Sequence, residues 1–456
     1  MSFVVTAFLA LFVYWFSLPP ELTLGYTGAY ATNCLYPGPS VPPGNPVWVL
    51  YGWLFIKVIP FSNVAWRLSL ASAVAAAVTC GLVALLVART ASLASADSPG
   101  FKSLSARTQK IAALICGTVA GLGFGLATSM WSKAVRPDPY TFSLLLFALA
   151  LCLATHWFFR PACKRSIALS FFTGSLTMVE NKDLCPMVLG LCLLIVLAER
   201  KFSRDALLCT SVILWWMIWR FHHGYNEFIY DLVAGWGPLF FIAAAMSFAL
   251  GTAFWWKSGK IFSEWKTLLL IALMFLAAQG SYLLLPVYSM TVSPMDWGHP
   301  RTVEGFFHVN HRDGCGPQIV HDPLELSRRA GMIFMQTGHD YGWIYLFAAA
   351  LGATRWRKTS SPVQRWQMGL LLAWFIPAGQ VLMTMHDWML NMDISSTNTC
   401  CTASYLPLAV FSGFGLMRIV SYCAKSEAAM TNELGVSSPT PSPSPQNLPH
   451  PPHSTS

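Results

Sequence analysis

Apolar residues run along this chain in blocks of up to about twenty, separated by polar connections. The blocks fall at about 3–19, 68–88, 111–131, 140–159, 166–179, 185–198, 206–220, 232–255, 267–288, 342–354, 367–385 and 403–422. A helix of about 20 apolar residues crosses the hydrocarbon core of a bilayer. The pattern therefore predicts an all-α, polytopic membrane protein with about twelve transmembrane helices. Blocks shorter than about 17 residues are expected to tilt or to continue past these bounds. The first, MSFVVTAFLALFVYWFSLPP, lacks the basic start and small-residue cleavage site of a signal peptide and reads as a retained span. Residues 46–61, PVWVLYGWLFIKVIPF, carry Trp48, Tyr51 and Trp53 and suit a helix lying at the membrane interface.

Charge adds an orientation. The chain is 55% hydrophobic and 11% charged, against about 25% charged in soluble domains. Its net charge is +9, and nineteen of its twenty-nine Lys and Arg fall in connections on one side of the predicted bundle. That bias marks the side as cytoplasmic and places both termini there. No basic cluster is interleaved with aromatics, which argues against nucleic acid as a partner. Most acids, among them Glu21, Asp138, Glu180, Asp296 and Asp340, fall on the opposite side, which also has the long loops 20–66 and 289–341. Residues 1–425 read as one polytopic domain, and the Pro/Ser-rich segment 426–456 as a disordered cytoplasmic tail. Of twelve cysteines, Cys34, Cys315, Cys400 and Cys401 are expected to face outward, with no pairing implied and no C-x-x-C motif. No cofactor is called for. His308-x-x-His311 with Asp313 offers a divalent metal only a spacing that matches no strong signature.

Four stretches say more than hydropathy. They are LTLGYTGAYATNCLYPGPSVPPGNPVWVLYGWLF from Leu22, SMWSKAVRPDPYTF at 129–142, GSLTMVENKD at 174–183, and YLLLPVYSMTVSPMDWGHPRTVEGFFHVNHRDG at 282–314. In order and spacing they resemble a family of membrane proteins with a GT-C-type glycosyltransferase fold. That family includes the eukaryotic protein O-mannosyltransferase acting on the immunoglobulin-like IPT domains of receptors such as plexins. A weaker match lies at 403–416. The turn-forming Gly28, Pro42, Pro43 and Gly44 keep the family's first-loop skeleton. Its acids are replaced, with Tyr26 and Ala29 where the family has Asp and Glu, and Val41 where it has His. In the second stretch Asp138 stands at the family's acidic position.

The resemblance implies transfer of a sugar from a polyprenyl-phosphate donor to a hydroxyl of a protein or glycan acceptor, at the extracytoplasmic face of a bilayer. Such chemistry needs a carboxylate near the acceptor hydroxyl and cations at the leaving phosphate. Asp138, then Glu21, are the candidates for the first. Lys133, Arg136 and Arg301 are candidates for the second, with Asn181 and Trp297 as further donor- or substrate-binding positions. Each has a plainer reading. Asp138 before Pro139 is a helix cap, Glu21 a solvated acid, Arg301 a loop ion pair, and Lys133 and Arg136 headgroup anchors. Three functions stay open: an active transferase, a member that binds lipid or protein without transfer, and a transporter. Family distribution points to a bacterial inner (plasma) membrane.

Overall fold

In a computed structural model the chain is a helical bundle, with no strand among the described residues. These are residues 1–433 apart from 43, 97, 224–236, 259, 261, 292, 312–321, 355–360 and 385–401. The first half comprises α1 (Ser2–Ser17), α2 (Thr27–Leu35), α3 (Pro46–Val58), α4 (Val64–Ser95), α5 (Pro99–Lys102), α6 (Ala106–Gly125), α7 (Thr128–Ala134), α8 (Pro139–Phe159), α9 (Lys164–Glu180) and α10 (Cys185–Val196). The second comprises α11 (Arg200–His223), α12 (Gly237–Ser258), α13 (Trp265–Gln279), α14 (Leu284–Met290), α15 (Val303–His311), α16 (Pro323–Thr337), α17 (Trp343–Thr354), α18 (Ser361–Thr384) and α19 (Tyr405–Glu433). Among the described residues each predicted apolar block falls largely on a helix or a helix pair; 232–236 and 385 lie outside the described residues. Among the described residues four helical segments are long and apolar enough to cross a membrane: Val64–Ser95, Pro139–Phe159, Trp265–Met290 and Tyr405–Ser426; α6 with α7 makes a fifth if that bent pair is one span.

The centre of the bundle is α4, whose run of Ala, Ser and Gly lets neighbours approach closely, as small residues do in membrane helix packing. It packs against α1, α6, α8 and α19. At Gly117 of α6 a Cβ would stand 2.5 Å from the Ala84 carbonyl oxygen, so only glycine permits this spacing. Around α4 the helices α8 and α9 form an antiparallel pair, tied by the Ser170 hydroxyl donating to the Ala150 carbonyl at 2.8 Å. α13 lies along α9, and α10 along α18.

Between α6 and α7 the chain bends by 73°. The bend has a hydrogen-bond cause. A continuous helix would join the Ser129 N–H to the Gly125 carbonyl. Instead the Tyr14 hydroxyl donates to Gly125 O at 2.7 Å, and the Asp340 carboxylate accepts Ser129 N–H at 2.7 Å. Both backbone groups are satisfied from outside, so the helix can break there without leaving either unpaired.

The two ends of the bundle differ chemically. One holds the α1, α6, α7 and α9 C-termini with the α8 N-terminus. The other carries Lys164 bound to Glu264 at 2.8 Å. It also carries the buried Arg204–Asp205 pair at 2.6 Å and Arg365, which donates to the Leu197 and Ala198 carbonyls. α19 continues to Glu433, across the expected start of the tail at 426.

Candidate functional site

The bend at 126–127 re-aims α7 so that Lys133, on its last turn, meets the turn Arg136-Pro137-Asp138. Asp138 is extended, at φ −149°, and caps α8 by accepting the Tyr140 N–H at 2.9 Å, with Pro139 at the first helical position. Pro there lacks an N–H that would otherwise need a partner. The second carboxylate oxygen, Oδ2, lies 3.7 Å from Lys133 Nζ and 3.6 Å from Arg136 Nη2. Lys133 is 4% and Asp138 13% exposed, while Arg136 is partly open to solvent. Lys133 also sits over the Tyr140 ring, 4.7 Å from its centroid. On α4 the Ser72 hydroxyl accepts Asp138 N–H at 3.1 Å, anchoring the turn to the bundle. Lys133, Arg136 and Asp138 thus come together as one cluster. The capping role and the ion-pair role of Asp138 coexist on its two oxygens.

A second carboxylate lies under the first loop. α3 starts from two left-handed residues, Gly44 at φ +94° and Asn45 at φ +44°, and Asn45 gives its helix no side-chain cap. A Cβ at Gly44 would also run into Leu285. The cap comes from Glu180, the last residue of α9: its oxygens accept Val47 N–H at 2.8 Å and Trp48 N–H at 3.1 Å. Asn45 Nδ2 donates back to the Glu180 carbonyl at 2.7 Å, and the Tyr288 hydroxyl to Pro46 O at 3.0 Å. Glu180 is fully buried. Burial pushes its carboxyl from 4.5 up to about 8, overriding the lowering by the two N–H donors. The sequence places Glu180 only among the outward acids. Asn45 before Pro46 reads in sequence as a capped helix start, so no local signal pointed to Glu180.

The segment after α14 packs on the first loop. Thr291 and Ser293 hydroxyls donate to the carbonyls of Pro37 and Tyr36, each at 3.1 Å. Here Asp296 Oδ2 accepts the Ser289 hydroxyl at 2.8 Å and faces His299 Nδ1 at 2.9 Å. Trp297 and Arg301 are exposed on the same segment. No hydrogen bond or ion pair described here joins them to Lys133, Arg136 or Asp138.

The remaining candidates are placed as follows. Asn181 follows Glu180 as the C-cap of α9, donating its N–H to Thr177 O at 2.9 Å. Glu21 is exposed in the connection after α1. Gly28 lies in α2 and Pro42 in the turn before Gly44, whereas Pro43 lies outside the described residues. Cys34 is a buried free thiol; Cys315, Cys400, Cys401 and Asp313 lie outside the described residues. Among the described residues no group of three or more His, Cys, Asp or Glu is placed to hold a metal ion.

Residues 38–204 match the family described as protein O-mannosyl-transferase TMEM260 N-terminal domain. The match spans somewhat over a third of the chain and includes the Lys133–Arg136–Asp138 cluster and Glu180 with Asn181. Glu21, Trp297 and Arg301 lie outside it. No solved structure matches the chain.

Proposed function

From the placement of residues 38–204 in an O-mannosyltransferase-like family, we propose that this protein is an integral membrane glycosyltransferase of GT-C type. It moves a sugar, mannose in the first instance, from a polyprenyl-phosphate donor to a hydroxyl of a protein or glycan acceptor. The reaction takes place on the extracytoplasmic face of a membrane crossed by about twelve helices, with residues 1–425 as the catalytic domain. The bacterial inner membrane and cytoplasmic termini belong to the same proposal.

The observation that carries this reading is the Lys133–Arg136–Asp138 cluster, with Lys133 buried, at a helix junction inside the matched segment. A sugar phosphate that loses its sugar gains negative charge. Cations already held in place stabilise that charge without reorganising. Lys133 offers a point charge and Arg136 a planar fork, and Asp138 fixes both while keeping their mutual repulsion in check. Arg301, Trp297 and Asn181 add donor contacts from the neighbouring segments. Asp138 and Glu21 are the carboxylates put forward by sequence for the proton. The ion pairs of Asp138, Glu264, Asp205 and Asp296 lie in or beside connections, and that of Glu325 with Arg329 on the loop helix α16, not midway along the apolar spans. That favours chemistry at a membrane surface over passage through it.

The test is transfer of labelled mannose from polyprenyl phosphate to extracytoplasmic acceptor proteins by the purified chain. Lys133→Gln with Arg136→Gln is expected to lower transfer about 10²-fold or more, as loss of charge stabilisation does. Asp138→Asn is expected to lower it too. Saturable binding of the donor with no transfer would make the protein a binding member of the family. Absence of both would remove the donor assignment.

A further inference from the structure

The segment Asp296-Trp297-Gly298-His299-Pro300 holds an imidazole in an unusual way. Gly298 at φ +71° and His299 at φ +47° are consecutive left-handed residues. Glycine adopts that conformation freely; histidine adopts it at a cost and persists there only when its surroundings impose it. The surroundings are evident. The His299 carbonyl accepts both the N–H of Thr302 at 3.1 Å and its hydroxyl at 3.2 Å. Thr302 in turn caps α15 by accepting Gly305 N–H at 3.0 Å. Gly305 lies so close to the His299 carbonyl that no Cβ would fit.

This backbone aims Nδ1 of His299 at Asp296 Oδ2, 2.9 Å away, and Ser289 holds the same oxygen at 2.8 Å from the other side. Asp296 is 13% exposed, whereas His299 is 65% exposed. A carboxylate on one ring nitrogen fixes the proton there and leaves the other, Nε2, as a proton acceptor. An oriented base with its working nitrogen toward solvent is the arrangement that proton abstraction from a hydroxyl requires. Two carboxylates elsewhere, Asp138 and Glu180, are less suited. Asp138 has two cations and an N–H on its oxygens, and Glu180 is sealed beneath α3.

We propose that His299, positioned by Asp296, is the general base that deprotonates the acceptor hydroxyl. The inference rests on the transferase reading above and names its proton acceptor. As the acceptor oxygen bonds to the anomeric carbon, its proton passes to Nε2. The bond from that carbon to the phosphate oxygen breaks, and the phosphate leaves with the electron pair. The imidazolium then releases its proton to water. Asp138 keeps the task of orienting Lys133 and Arg136. The acceptor is an alcohol presented from solvent, on a protein or a sugar.

Position 299 suits a clean test because its backbone favours Gly and Asn. His299→Asn and His299→Gly should fold, which thermal unfolding would check. Transfer is expected to fall about 10²–10⁴-fold in both, with donor binding retained. Added imidazole should restore His299→Gly about tenfold or more, since it replaces the deleted base. Asp296→Asn, at the positioning residue, should lower kcat with little change in KM. Other charged groups nearby are Arg301, Glu304 and His308, the last beside Gly298; the packed first-loop residues Tyr36, Pro37 and Gly38 carry no charged side chain at neutral pH. An active wild type with equally active His299→Asn, or His299→Gly unresponsive to imidazole, overturns the base assignment and leaves the transferase standing. A wild type that transfers nothing overturns both.

Discussion

Glu180 accepts two main-chain N–H groups in a site without solvent, and its carboxyl is raised from 4.5 to about 8. Its titratable neighbours are Cys34, Tyr282 and Tyr288. A raised carboxyl means that the folded state holds the proton more tightly than the unfolded chain. The resulting stabilisation is complete below 4.5 and is lost as pH rises toward about 8. Glu180→Gln, uncharged throughout, should remove this slope. Thermal unfolding in detergent should therefore show the wild type losing ground to Glu180→Gln between about pH 5 and 8, and parallel curves would refute the burial argument. Asp138 was legible as a cap because Pro139 follows it. Glu180 was not, because an acid at a helix end reads as solvated until a distant helix start is known to need it. Gly44 was legible as a turn former. That Leu285 closes over it depends on a contact between residues far apart in sequence.

Hydropathy predicts one block over 111–131, and the structure divides it at Leu126 and Ala127 with no proline involved. The cause is a pair of competing partners, Tyr14 for the Gly125 carbonyl and Asp340 for the Ser129 N–H. Neither partner is near in sequence, so no local pattern could reveal the break. The consequence is geometric: the break turns Lys133 toward Asp138. Asp340 itself sits in a π-helical turn, Gly338–Gly342, and such turns recur at functional sites. Asp340→Ala should cost about 1–3 kcal/mol by leaving a buried N–H unpaired. Hydrogen exchange should rise across Thr128–Ala134 while α6 stays protected. Uniform loosening of the bundle would instead point to a general packing role. Tyr14→Phe, which strips the Gly125 carbonyl, should behave likewise.

At the scale of the whole molecule the long apolar helices were legible, because apolar length marks them; α2, α15 and α16, inside the expected loops 20–66 and 289–341, were not. The number that cross the bilayer was not. Among the described residues length and composition qualify four helical segments, or five with the bent pair, while α1, α3 and the apolar stretch Met187–Val196 of α10 are short. Helix ends tied by Arg204–Asp205 and Lys164–Glu264 lie opposite the end that holds Lys133, Glu180 and His299. The positive-inside bias predicts that this tied, basic end faces the cytoplasm, as the proposed transfer from an outward lipid-linked donor requires. Cysteine accessibility decides the matter. Leu24 is exposed in the first loop, and Cys423 is exposed on α19 near Arg418 and Lys425. A membrane-impermeant maleimide applied to intact cells should label Leu24→Cys and reach Cys423 only after permeabilisation. The reverse pattern would put the Lys133–Asp138 cluster on the cytoplasmic side. The donor would then have to be a cytoplasmic one, and the case for outward transfer would fail even if every residue argued for here proved essential.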